Sequence, residues 1–233
     1  MGLNVQVEHD FPYLLSQPCR KCVFAKLLNP EGGILPFADA SFDGVLSNNV
    51  LEHALNPKQY LRESLRVLRP GGVFHAVWEP TYGAANGHHL NQGRGRGLQR
   101  MHNATQRGQE DYLDSMLPAY LHLLVDRDQA YQLLRTKLGE QRSLLEAMLH
   151  FIYDDLHISR LGAHVVHDEL LAMQREGLLS LSSFRCKRPS EKRLPRSLQE
   201  LLLRRHPELT AFDINAQGCS FVVHRLNGTQ TGR

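Results

Sequence analysis

A helix opened by Asn56-Pro57 and closed by Pro70-Gly71-Gly72, with a short apolar run on each side, constrains this chain more than any other feature. Phe42, Val45 and Leu46 lie between the polar Asp39 and Asp43 and the polar Asn48 and Asn49, a run of strand length that reads as a strand buried on both faces. Asn56 then serves as N-cap. Proline at the first helical position costs nothing, because its missing N–H would be unpaired there anyway. Leu61, Leu65 and Leu68 recur at spacings of four and three and form one stripe, with Arg62, Glu63, Arg66 and Arg69 on the other faces. Pro70 cannot continue the helix, and Gly71 and Gly72 permit a tight reversal into the strand from Val73 to Trp78. Strand, helix, strand is the parallel crossover unit of an α/β sheet. Ligands of open α/β sheets bind beyond the carboxyl ends of the strands, so Asn48 to His53 and Glu79 to Tyr82 are expected at a site. Asp43 stands at the opposite end of its strand and reads as a structural cap.

The run from Leu35-Pro36-Phe37 through Ser41-Phe42-Asp43, Asn48-Asn49-Val50-Leu51-Glu52-His53 and Leu68-Arg69-Pro70-Gly71-Gly72 resembles the second half of a class I S-adenosylmethionine-dependent methyltransferase of the small-molecule type. The likeness is close from about Ile34 to Trp78. It implies an α/β fold, a Rossmann-like methyltransferase sheet incomplete in its N-terminal half, with a helical cap insertion. It implies S-adenosylmethionine as cofactor and methyl transfer to an O, N or C nucleophile of a small-molecule substrate.

In that register Val5 and Val7, then Val23 to Leu28, are similar to the second and third strands of the sheet. Glu8 and Asp10 then match the acidic position against the cofactor's ribose, and Glu31 the position against its adenine amine. Asn48 and Asn49 would face the methionine part, although asparagine at a strand end also reads as a plain turn residue. His53 would be the catalytic base, since an imidazole titrating near neutrality can deprotonate a hydroxyl before methyl transfer. Glu79, Tyr82, His88 and His89 follow the fifth strand and would line the substrate pocket. Metal binding by His88, His89 and Glu79 is the lesser alternative, and no metal is assigned.

The glycine-rich loop that follows the first strand in this family is absent from the sequence. The chain therefore reads as a methyltransferase beginning at its second strand. A central strand buries several large apolar side chains, each contributing about 1.5–3 kcal/mol, so either the sequence is truncated or another segment or a protein partner is expected to fill the gap. The same loss supports an alternative function: a non-catalytic, methyltransferase-like partner subunit or scaffold without cofactor binding.

Four parts are expected: a partial core at 1–90, a helical cap or substrate insertion at 91–162, the C-terminal part of the core at 163–226, and a flexible tail at 227–233. Within the insertion, Tyr131, Leu134 and Leu138, then Leu144, Leu145, Met148, Leu149 and Ile152, recur at helical spacing. Asp168 to Gly177 reads as the last helix of the core with its terminal glycine. Leu179 to Cys186 and Gly218 to His224 read as an antiparallel strand pair, and Leu194 to His206 as a helix with Leu198, Leu201 and Leu202 inward. His164 and His167 are expected to cap or flank the last helix.

The 233 residues are 42% hydrophobic, enough for a substantial core, and the net charge of +3 is far from a nucleic-acid-binding signature. Arg94, Arg96, Arg100 and Arg107 among glycines read as a solvated loop rather than an RNA-binding segment. No apolar run reaches the length of a membrane span, and the expected location is cytoplasmic. Cys19 and Cys22 form a CxxC that reads as reduced thiols or, less simply, as a metal or redox pair, while Cys186 and Cys219 look isolated.

Overall fold

The computed structural model describes residues 34–89, 117–138, 142–154, 159–188 and 194–227. Its centre is a four-stranded sheet of β1 (Phe42–Asn48), β2 (Leu68–Trp78), β3 (Leu179–Lys187) and β4 (Gly218–Arg225) in the order β1-β2-β4-β3. β1 and β2 are parallel, joined by α1 (Pro57–Val67), while β4 runs antiparallel to both β2 and β3. The crossover unit expected from the sequence is therefore present. Asn56 caps α1 by accepting a hydrogen bond from the Gln59 amide at 3.1 Å.

The Pro-Gly-Gly stop behaves differently from a terminal reversal. β2 already begins at Leu68, and its register against β1 jumps from Phe42 opposite Leu68 to Gly44 opposite Val73. The extra residues make a bulge inside the strand pair, and Gly71 supplies its left-handed turn at φ 79°. An ion pair between Arg69 and Asp43 lies across this bulge, so Asp43 is indeed structural.

α1 and α5 (Ala163–Arg175) pack together against the sheet; α2 (Leu121–Leu124), α3 (Arg127–Leu138) and α4 (Arg142–Leu149) come between them in the chain. Leu61, Leu65 and Leu68 are buried there as the stripe requires, meeting Leu170 and Met173 of α5 over Phe74 and Phe221. Arg62 joins the two helices at their surface through Glu169 at 3.2 Å and Glu176 at 3.0 Å. The two phenyl rings meet edge to face at 5.0 Å.

The expectation that the first strand is buried on both faces is not met. Along β2, Phe74, Ala76 and Trp78 are buried while His75 is exposed, the alternation of a sheet covered on one face. In β1 only Ser47 is buried and Leu46 is 58% exposed, because among the described residues β1 has a partner on one edge and helices on one face.

α3 and α4 form a helical hairpin with its own apolar centre of Leu134, Leu144, Leu145, Met148 and Leu149, as their spacing predicts. α6 (Arg196–Arg205) buries Leu202, but Leu201 is 37% exposed rather than inward: the helix meets its neighbours along Leu198, Leu202 and Leu203. Gly177 closes α5 at φ 73°, as expected.

Cys186 and Cys219 are not isolated. They sit opposite one another on β3 and β4, with Cα atoms 4.0 Å apart, and are joined as a disulfide. Their separation of 33 residues hid an adjacency that only strand pairing creates. Cys19, Cys22, Glu8, Asp10, Glu31, the arginines from Arg94 to Arg107 and the tail from 228 onward lie outside the described residues. No described helix is long and apolar enough to cross a membrane.

Candidate functional site

Because β1 and β2 are parallel, their carboxyl ends lie side by side, and the turns that leave them converge. β1 ends in a left-handed Asn49, φ 52°, whose amide donates to Val77 O at 2.8 Å and holds the turn against β2. A single 3-10 turn, Leu51–His53, follows, and its Glu52 carbonyl accepts the Ser159 amide at 2.7 Å. β2 ends at Trp78, and the chain continues through Pro80 to Thr81 and Tyr82. Thr81 donates its amide to Gln217 O at 3.0 Å and its hydroxyl to Ala216 O, which fixes this turn to the entry of β4.

Between these turns and the start of α5 is a cleft of about 280 Å3, open to solvent, walled by Glu52, Trp78, Thr81, Tyr82, Ser159 and Val166. It occupies the place that strand polarity assigns to a ligand. The enclosed room within it is about 10 Å3, close to that of one water and far below a pocket for a whole ligand.

Among the described residues Glu52 is the one carboxyl in its wall. It is 5% exposed, and its Oε2 is buried with no hydrogen-bond partner among the described residues. Burial pushes this carboxyl up to about 8, against a smaller lowering by its own backbone N–H. His53 Nε2 lies 3.9 Å from Oε1, with 41% of its side chain exposed. Burial likewise raises the Tyr60 phenol, which lies on α1 beside Ser47 and Glu52.

The expected site residues separate into groups. Tyr82 lines the cleft, and His53 lies beside Glu52 of its wall. Asn48 and Asn49 are exposed at the end of β1, and Asn49 also fulfils the turn reading. Glu79 is turned toward Lys187, 2.9 Å away, on the far side of the strand end. His88 is buried against the ring of His122 at 5.5 Å, and His89 lies 5.4 Å from the ring of His53. Burial lowers His88 to about 4 and His122 to about 3, so both are neutral at ordinary pH. His122 Nε2 donates to Tyr82 O at 2.8 Å, which ties the helical insertion to the cleft wall. Gly87 makes that approach feasible: a Cβ there would lie 2.8 Å from both His122 Nε2 and Thr81 O.

His164 flanks α5, as its spacing suggested, through a buried partner that sequence reading missed. Asp213 accepts from the His164 amide at 2.9 Å and from its ring Nδ1 at 2.7 Å, and so caps the helix from 49 residues away. His167 packs its ring on Phe184 at 4.7 Å. Sequence reading placed Glu52 within the expected Asn48 to His53 run and gave it no role of its own. The available signal was a carboxyl flanked by the apolar Leu51 and Ala54 in a turn that starts at a strand's carboxyl end.

The sequence profile of the methyltransferase domain matches residues 19–76, a range that includes β1, the 3-10 turn, α1 and most of β2. That segment, about a quarter of the chain, is similar to a methyltransferase domain. An uncharacterized methyltransferase of Mycobacterium sp. (strain KMS) is 39% identical over 82 residues, which are 34% of this chain and 32% of that protein. One from Mycobacterium avium (strain 104) is 46% identical over 60 residues, 26% of this chain and 24% of that protein. The chain thus matches a third or less of the length of these methyltransferases. A solved S-adenosylmethionine-dependent methyltransferase from Methanosarcina mazei is 14% identical, with a TM-score of 0.36 over 86% of this chain and 66% of that chain.

Within this methyltransferase segment the residues present fit one end of the cofactor. The orphaned Glu52 Oε2 and the exposed Asn48 and Asn49 amides are polar groups at the strand ends with capacity left for a ligand. The cleft is too small to enclose a whole nucleoside-bearing molecule.

Proposed function

We propose that this chain takes part in methyl transfer from S-adenosylmethionine to a small-molecule acceptor at the carboxyl ends of β1 and β2. One observation carries the reading: the cleft of Glu52, Thr81 and Tyr82 lies where the two parallel strands of the methyltransferase segment end. When bound, the cofactor supplies an electrophilic methyl group on a sulfonium. Asn48 and Asn49 hold its methionine part, and Glu8, Asp10 and Glu31 its ribose and adenine. His53, next to Glu52 on the turn after β1, accepts the acceptor's proton on Nε2. Tyr82 positions the acceptor, with His88 and His89 backing the site and Glu79 fixing the strand end through Lys187. The helical segment of 91–162 covers the site and excludes water, an arrangement supported by the bond from His122 to Tyr82 O. A cytoplasmic location goes with this reading only with Cys186 and Cys219 reduced, since such bonds persist in oxidising compartments.

A second reading is favoured by one specific observation. Leu46 is 58% exposed on β1, whose outer edge has no partner among the described residues. Such an edge accepts another strand, and the chain then acts as a partner subunit in a larger methyltransferase assembly.

Calorimetric titration with S-adenosylhomocysteine separates the two. Micromolar binding, weakened at least tenfold by combined Asn48→Ala and Asn49→Ala changes, supports the enzyme reading. No heat of binding from a folded chain supports the subunit reading.

A further inference from the structure

We propose that the cleft beside Glu52 is a binding site for an organic ammonium group, and that Glu52 is the residue that recognises it. On the methyl-transfer reading, on which this assignment of the occupant rests, the group is the amine of the methyl acceptor.

The argument begins with an unmatched atom. Glu52 Oε2 is buried without a hydrogen-bond partner among the described residues, in the wall of a cleft at the strand ends. A buried carboxyl in that position is stable only if protonated or if a donor cation meets it. Among the described residues the walls supply no such cation. On its own turn His53 approaches the other oxygen, Oε1, at 3.9 Å. From α1 and the turn after β2 come phenols, Tyr60 and Tyr82. From the start of α5 comes Val166, while Asp213, behind Gly162, is engaged with His164 and Thr210. The guanidinium of Arg160 is directed to Tyr153 O.

Two further features select the occupant. Trp78 and Tyr82 are both in the wall, and aromatic rings attract a cation through their negative faces. The enclosed room of about 10 Å3, close to that of one water, suits an ammonium head whose alkyl stem stays outside, and not an extended molecule. An ammonium in the cleft donates N–H to Oε2, and their attraction offsets the cost of burying the carboxylate. Anionic and purely apolar ligands leave that oxygen unmatched.

The test is an amide-detected NMR titration of the full chain with n-butylammonium, and with butan-1-ol as its neutral counterpart. Butylammonium is expected to shift the Glu52, Thr81 and Tyr82 amides, and butanol to leave them unmoved. Because the cation selects the ionised carboxyl, affinity should rise about tenfold or more from about pH 6.5 to about pH 8.5 and then level off. Glu52→Gln, close to isosteric, should lose both the affinity and its pH dependence. Equal binding of butanol, or ammonium binding unaltered by Glu52→Gln, overturns the proposal, and the butanol arm needs no variant at all.

S-adenosylhomocysteine also carries an ammonium group, and a competition experiment separates the sources. Simultaneous binding assigns the cleft to the acceptor amine; displacement of butylammonium gives it to the cofactor and overturns the acceptor assignment. If S-adenosylhomocysteine binds and butylammonium does not, this proposal falls and methyl transfer stands. If only butylammonium binds, the ammonium site stands and the methyl-transfer reading falls.

Discussion

Asp213 shows how a single side chain can organise the ground beneath the site. It is fully buried and accepts from the amide and ring of His164 and, through Oδ2, from the amide and hydroxyl of Thr210 at 2.7 Å each. The same residue lies against Gly162 and Gly83, where a Cβ would come within 2.6 Å of its atoms. Removing it orphans the first turn of α5, which forms one wall of the cleft. Asp213→Ala should cost about 3 kcal/mol, measured by urea denaturation, whereas His167→Ala, which loses only a ring contact, should cost about 1 kcal/mol. Neither residue belongs to a recognisable motif. Asp213 is 49 positions from the helix that it caps, and no local pattern encodes that distance.

At the scale of elements, what was legible was what is local. The cap at Asn56, the stripe of Leu61 and Leu65, and the closing glycine of α5 follow from neighbours three or four residues apart, and all are present. Three features were misread, each because it depends on a partner far away in sequence. The Pro-Gly-Gly run lies inside β2 because β1 pairs across it with a register jump. Cys186 and Cys219 are bonded because β3 and β4 pair in the register that sets them opposite. β1 is not buried on both faces because burial is set by what lies on either side of the sheet, and an apolar run records only its own composition. The presence of a cleft at the ends of β1 and β2 agrees with the place that strand polarity assigns to a ligand, and polarity follows from the crossover. The identity of its buried carboxyl was not legible, since Glu52 becomes a site residue only when α5 closes over it.

For the whole molecule, the buried titratable groups set a pH profile. Glu52 is raised to about 8 from its ordinary 4.5, so the folded chain holds a proton that the unfolded chain releases; this stability is complete below about 4.5 and lost as pH rises through about 8. His88 and His122 are lowered to about 4 and about 3 from their ordinary 6.5, so their contribution is complete above about 6.5 and lost as pH falls toward those values. Between about 4.5 and 6.5 the two histidines outweigh the one carboxyl, and above 6.5 the carboxyl acts alone. Melting temperature should therefore peak near pH 6.5, and Glu52→Gln should flatten the alkaline side and steepen the rise between about pH 4.5 and 6.5. The central claim is that the ends of β1 and β2 form the ligand site of this methyltransferase segment. Hydrogen–deuterium exchange of the full chain with and without S-adenosylhomocysteine tests it most directly. The account predicts slowed exchange concentrated at residues 48–53 and 78–82; unchanged exchange there, or protection confined to the α3–α4 hairpin, would contradict it.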